Sequence, residues 1–250
     1  MTYNLSSKRY LITGGSSGIG MATARLLATR GGAVTIVGRN ELRLQAAMAD
    51  LPGHGHTAIC YQLQDADATA DWLKALAGDH GAYDGIFHAA GAELIRPIRL
   101  TKQQQIGEVM GSSLFAAFGI ARACSQKAVL VDGGSLLFMT SVAASAGQVG
   151  MTAYSAAKAG IEGMVRSLAC ELASRAVRVN TLAAGAVETP MHDRILRASG
   201  DAALEAYRSS HLLGFGTPDD IANSAAFLLG PDSSWVTGTT MVVDGGYLCR

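Results

Sequence analysis

Short runs of apolar residues alternate along this chain with longer stretches whose apolar positions recur at helical spacing. Runs at 9–13, 33–38, 57–63, 85–88, 135–140, 176–182 and 239–243 read as strands. Several are apolar without a break, as expected of parallel strands covered on both faces. Between them lie helical stretches at 19–30, 41–50, 66–78, 102–126, 154–174 and 218–229. This β-α alternation predicts an α/β fold, a doubly wound parallel sheet with helices on both sides. No linker, repeat or low-complexity tract interrupts it, so 1–250 is expected to be one domain. The stretch 189–216 breaks the alternation with a polar, partly helical insertion (191–198 and 202–211). An insertion of this length after a strand reads as a binding loop or lid.

Composition narrows the function. Of 250 residues, 49% are apolar and 16% charged, which supplies a sizeable core. Twenty Lys and Arg balance twenty Asp and Glu, leaving no electrostatic footprint for nucleic acid or an anionic membrane. Cys60, Cys124, Cys170 and Cys249 are scattered without CxxC or Cys/His spacing, so reduced thiols and no metal site are expected. Residues 1–9 are polar, unlike a signal peptide, and no apolar run reaches membrane-spanning length. A cytoplasmic location is the simplest expectation.

Two local patterns carry candidate chemistry. Thr13-Gly14-Gly15-Ser16-Ser17-Gly18-Ile19-Gly20 follows the first strand and opens the first helix. Glycines there permit a tight turn and let backbone N–H groups approach a pyrophosphate at a helix N-terminus, so dinucleotide binding is expected. At the end of the second strand stands Val37-Gly38-Arg39-Asn40, with no carboxylate for a ribose 2′-hydroxyl. Arg39 could instead pair with a 2′-phosphate, which favours NADP, with NAD possible. The second pattern is Tyr154-Ser155-Ala156-Ala157-Lys158. Residues four apart share a helix face, and an ammonium beside a phenol favours the phenolate. Such a pair could give and take a proton near neutral pH.

Together these motifs resemble the short-chain dehydrogenase/reductase family over essentially the whole chain. The glycine turn is similar to TGxxxGIG, Tyr154 to Lys158 is similar to YxxxK, and Val243-Asp244-Gly245-Gly246 is similar to the closing DGG. Ser141 stands thirteen residues before the tyrosine, where the family keeps its catalytic serine. The resemblance implies a Rossmann-type seven-stranded sheet in the order 3-2-1-4-5-6-7. It implies Tyr154 as general acid in carbonyl reduction or base in alcohol oxidation, and Lys158 as the group that lowers its pKa and binds the nicotinamide ribose. Ser141 would hold the substrate oxygen. The cofactor would touch Gly14, Ser16, Ser17, Gly18, Ile19 and Gly20 at the turn, and Arg39 at the second strand. Gln64 and Asp65 would meet adenine, although Asp65 reads equally well as a helix cap. Ala90 and Gly91 of His88-Ala89-Ala90-Gly91, where NNAG is usual, would line the adenosine and ribose side. Gly185, Val187 and Thr189 would meet the carboxamide and phosphates.

Three departures from the family stand out. Ser113 occupies the place of an asparagine that helps hold a water in the proton relay, so Ser113 is a catalytic candidate in a rearranged relay. His88 replaces the first asparagine of NNAG and reads as a histidine hydrogen-bonded to backbone. Ala184 replaces proline before the lid. Gln148, Met151 and Met191 are expected to face a small carbonyl or alcohol substrate, with His192, Arg194, Ile195 and Leu196 of the lid nearby. One alternative is a 3-oxoacyl-(acyl-carrier-protein) reductase. Against it stands the acidic stretch at 129–134, which carries Asp132 and no arginine, although Arg175 remains. An alternative of another class is a non-catalytic NADP-binding regulator or scaffold, disfavoured by intact Ser141, Tyr154 and Lys158. Helical stretches apolar on more than one side read as buried on both sides, and there the resemblance implies self-association as a homotetramer or dimer.

Overall fold

The structure is a computed structural model that describes residues 4–191, 205 and 207–249. Seven strands form one sheet: β1 Arg9–Thr13, β2 Ala33–Gly38, β3 Thr57–Cys60, β4 Tyr83–His88, β5 Leu130–Ser141, β6 Arg178–Ala184 and β7 Thr240–Val243. Their order is β3-β2-β1-β4-β5-β6-β7, every pairing parallel, as expected. The named helices are α1 Gly18–Thr29, α2 Glu41–Ala49, α3 Ala66–His80, α4 Gln103–Met110, α5 Ala116–Cys124, α6 Thr152–Leu172 and α7 Pro218–Leu229.

Unbroken apolar strands are explained by two cores, one on each face. Successive side chains of a strand point to opposite sides. Leu136 and Phe138 therefore pack toward α3, α5 and α6, while Leu137 and Met139 pack toward α1 and α7. Full burial of each such side chain contributes about 1.5–3 kcal/mol. Local chemistry starts the helices. The Thr217 and Asp220 side chains form a reciprocal capping box at α7, with Pro218 in its first turn. At the other end of α7, Arg178 from β6 donates to the carbonyls of Leu228 (2.7 Å) and Gly230 (2.9 Å).

The long helix expected over 102–126 is instead α4 and α5 joined by a wide π-helical turn, Gly111–Phe115. Gly111 is buried there, and a Cβ on it would lie 3.1 Å from the Gln64 carbonyl oxygen. The third strand is shorter than expected because the chain leaves the sheet after Cys60. No helix among the described residues is long and apolar enough to cross a membrane, and no group of His, Cys, Asp or Glu among them could hold a metal ion.

The chain winds outward through β1, β2 and β3, then returns to β4 on the other side of β1. Strand order reverses at that point, so the crevice beyond the carboxyl ends of β1 and β4 has no helix crossing it.

Candidate active site

A cleft of about 950 Å³ occupies that crevice. At one end, Gly14, Ser16, Ser17, Gly18, Ile19 and Gly20 line it at the start of α1. A Cβ on Gly20 would lie 2.4 Å from the Gly14 carbonyl oxygen, so only glycine lets the turn close this tightly. Ser17 precedes α1 without a capping side-chain hydrogen bond, which leaves the first N–H groups of the helix directed at the cleft. A tight turn and uncapped amides suit the pyrophosphate of a dinucleotide. Beside it, Arg39 and Arg43 line the cleft, while the Asn40 side chain is taken up as the cap of α2, accepting from the Arg43 N–H at 2.9 Å.

Gln64, Ala90, Gly91, Gly185, Val187 and Thr189 also line the cleft. Asp65 does not. Its carboxylate accepts the Ala68 N–H at 2.8 Å and caps α3, so the expected adenine contact is corrected to a helix cap. Tyr61 and Gln62, one turn of chain earlier, line the cleft in its place. Tyr61 is fixed by stacking on Trp72, with ring centroids 4.2 Å apart, a pairing that becomes legible only once β3 and α3 are adjacent.

The other end of the cleft holds Ser141, Tyr154 and Lys158. Ser141 ends β5, and its hydroxyl lines the cleft with Tyr154 and accepts the Ala143 N–H at 3.2 Å. Tyr154 lies in the first turns of α6, and Lys158 is one turn on. The lysine is buried, with Nζ 5.6 Å from the centre of the Tyr154 ring and donating to the Met139 carbonyl at 2.9 Å. Burial pulls the Lys158 pKa down to about 8. The expected lowering of the tyrosine pKa by this ammonium is not what dominates. Burial pushes the Tyr154 phenol up to about 12, the Ser141 hydrogen bond opposing it and nearby Glu93 and Tyr207 adding to it. The reason is placement: Nζ stands over the ring and is engaged by a carbonyl, so loss of solvent outweighs its attraction for a phenolate.

Ser113 does not line the cleft. It lies behind Gly91 in the π-helical turn, fully buried. His88 is buried at the end of β4 with backbone and hydroxyl partners, as expected. On the substrate side, Gln148, Met151 and Met191 line the cleft. Gln148 turns its amide nitrogen to the Tyr247 hydroxyl at 2.9 Å and not to open space. Tyr207, which sequence reasoning passed over, lines the same wall and packs against His211, Phe215 and Tyr247. His211 and Phe215 follow it within eight residues, but Tyr247 comes from the segment after β7, and only the fold brings the group to the cleft. His192, Arg194, Ile195 and Leu196 lie outside the described residues.

Arg175 has a different setting from the one that would bear on a carrier. It follows the C-terminal end of α6, about 30 Å along the helix from Tyr154 at 1.5 Å per residue. There it donates to Asp132 (2.9 Å) and to the Cys124 carbonyl (2.8 Å). Within one chain, neither residue stands at the mouth of the cleft.

Such a sheet and cleft place the protein among the dehydrogenases and reductases. Residues 14–248 match the family model described as Enoyl-(Acyl carrier protein) reductase. The chain is 32% identical to carbonyl reductase family member 4 of Danio rerio, over 96% of this chain and 98% of that protein. It is also 32% identical to the 3-oxoacyl-(acyl-carrier-protein) reductase FabG of Vibrio cholerae, over 97% and 98%. A solved dehydrogenase/reductase from Sinorhizobium meliloti superposes with a TM-score of 0.88 at 32% identity, covering 99% of this chain and 97% of that one. The chain belongs to the short-chain dehydrogenase/reductase family, and it is an oxidoreductase.

Proposed function

We propose that this protein is an NADPH-dependent ketoreductase that reduces a ketone to an alcohol, or runs the reverse reaction. The observation that carries the reading is the convergence of Ser141, Tyr154 and buried Lys158 at one end of the cleft, with Lys158 Nζ 5.6 Å from the centre of the Tyr154 ring. When bound, the reduced nicotinamide supplies the hydride. The chain's own residues manage the oxygen. Ser141 is placed to donate to the carbonyl oxygen as charge develops on it. Tyr154 keeps its proton through the neutral range, because burial raises its pKa, and gives it to the same oxygen. A positioned proton donor of this kind contributes about 10²–10⁴ in rate. Lys158, charged below about pH 8, holds the adjoining positive charge.

The glycine turn and the start of α1 would hold the pyrophosphate. Arg39 and Arg43 would hold a 2′-phosphate, in a part of the cleft wall that carries no carboxylate among the described residues. A second reading, reduction of a 3-oxoacyl group on an acyl-carrier protein, is favoured by the names of several relatives at 31–34% identity. The chain is further read as one domain that self-associates through α4, α5 and α6, where Phe115 and Phe118 stand about half exposed.

The test is a panel of ketones, 3-oxoacyl thioesters and an enoyl thioester, with NADPH and NADH consumption as readout. Tyr154→Phe should bind NADPH within about twofold of wild type and lose about 10²-fold or more in kcat. A Tyr154→Phe enzyme with wild-type kcat would sink the reading, as would tighter binding of NADH than NADPH for the Arg39 argument.

A further inference from the structure

The cleft is electrically divided. Its cofactor end carries Arg39 and Arg43, whereas Glu93 is the one carboxylate among the described residues that line it. Glu93 belongs to the segment that leaves β4. Two residues earlier in that segment, a Cβ on Gly91 would lie 3.4 Å from Lys158 Nζ, so the chain passes over Lys158 just before it reaches Glu93. Oε2 of Glu93 is screened from solvent. Its charge is near enough to the Tyr154 phenol to help hold the proton there. A carboxylate repels phosphate, so this one belongs to the substrate's share of the cleft.

Neighbouring groups make the same region polar. The Arg96 N–H donates to the Gly150 carbonyl at 2.8 Å, which ties the segment carrying Glu93 to the one carrying Gln148 and Met151. Gln148 and Tyr207 line the cleft there, and the Gln148 amide nitrogen donates to the Tyr247 hydroxyl at 2.9 Å. A carboxylate, an amide and a phenol thus border the space beside Tyr154. An ionised carboxylate only accepts hydrogen bonds, so the substrate group that suits it is a donor. The same charge repels a second carboxylate, and more strongly where little solvent screens it.

We propose that Glu93 is a specificity-determining residue: it accepts a hydrogen bond from a hydroxyl or ammonium group that the substrate carries near its carbonyl, and it turns keto acids away. The protein therefore takes hydroxylated or amino ketones in preference to plain ones. The proposal rests on the ketoreductase reading and names the substrate class for it. A hydrogen bond to a charged acceptor is worth about tenfold or more, and a site that offers one discriminates against the analogue lacking the donor.

The experiment uses the full chain with NADPH and ketones built on one carbon chain: butanone, hydroxybutanone and aminobutanone with the added group on the terminal carbon, and acetoacetate. Values of kcat/KM are measured for wild type, Glu93→Gln and Glu93→Ala, each checked for folding by circular dichroism. They are compared as ratios between substrates, because Glu93 also acts on Tyr154 and any change in proton transfer cancels. Wild type should favour at least one donor-bearing ketone over butanone by about tenfold or more, and over acetoacetate by about 10²-fold. Glu93→Ala should bring the preference over butanone below about threefold. Glu93→Gln should bring the preference over acetoacetate below about tenfold. Its amide oxygen still accepts from a hydroxyl, so hydroxybutanone should keep part of its advantage there while aminobutanone loses its own, which tells the two donors apart. A wild type that reduces butanone as well as both donor-bearing ketones, or acetoacetate better than either, overturns the proposal without any variant. Ratios unchanged in folded Glu93→Ala overturn it too; should that variant not fold, an unchanged bias against acetoacetate in Glu93→Gln does the same. Turnover lost in Tyr154→Phe but showing the wrong preference in wild type sinks this proposal alone. No turnover of any of these ketones also overturns it, and where the wider panel is not reduced either, the ketoreductase reading falls with it.

Discussion

In acid, His88 takes up a proton on unfolding that it cannot hold while folded. Burial, aided by the charge of Lys158 and opposed by the Ser113 carbonyl, pulls its pKa from 6.5 down to about 3. The folded pKa of this base is depressed, so between pH 6.5 and 3 the unfolded chain binds the extra proton. Its neutral form therefore carries full stability above pH 6.5, and stability falls as the pH drops. The loss is about 1.4 kcal/mol per pH unit, which from pH 7 to pH 5 amounts to about 2 kcal/mol. That is a large share of a typical total of about 5–15 kcal/mol. The assay is urea unfolding at pH 7 and pH 5, followed by fluorescence of Trp72 and Trp235, on wild type and His88→Gln in parallel. Wild type should lose about 2 kcal/mol more than the variant between the two pH values. Equal losses in both would refute the reasoning, because glutamine has no proton to take up.

Two further outcomes follow from the site. Reduction should weaken above about pH 8, as Lys158 gives up its proton while Tyr154 keeps its own, and a kcat flat to pH 10 would remove Lys158 from the account. Asp65→Ala should cost about 1 kcal/mol of stability through the lost cap on α3, with the KM for cofactor unchanged; a raised KM would return Asp65 to the cofactor site.

Much of the molecule was legible along the chain. Unbroken apolar runs such as Leu136 to Met139 announce burial on both faces, and with β-α alternation they leave few topologies other than a doubly wound sheet. The glycine turn was legible because backbone approach demands glycine, and Tyr154 and Lys158 because helix spacing puts them together. Asp65 was ambiguous because a carboxylate before a helix serves a cap and a ligand equally well, and only its distance to the Ala68 N–H decides. Tyr207 and Tyr61 were missed because only the fold brings them to the cleft: Tyr247 reaches Tyr207 from the segment after β7, and Trp72 stacks on Tyr61 once α3 packs beside β3.

The sequence by itself determined most of the elements and their β-α alternation, since periodicity, glycine spacing and strand-helix alternation are local properties, and its motifs named many of the side chains at the crevice. Tertiary structure alone decided the electrostatics and the second layer. Burial, a property of the packed whole, sets the Tyr154 phenol against losing its proton and holds His88 neutral. The link from Thr13 through His88 to Ser113 joins three elements that meet only when the sheet is built. Hydrogen bonds and desolvation depend on neighbours in space, and spacing along the chain does not contain them.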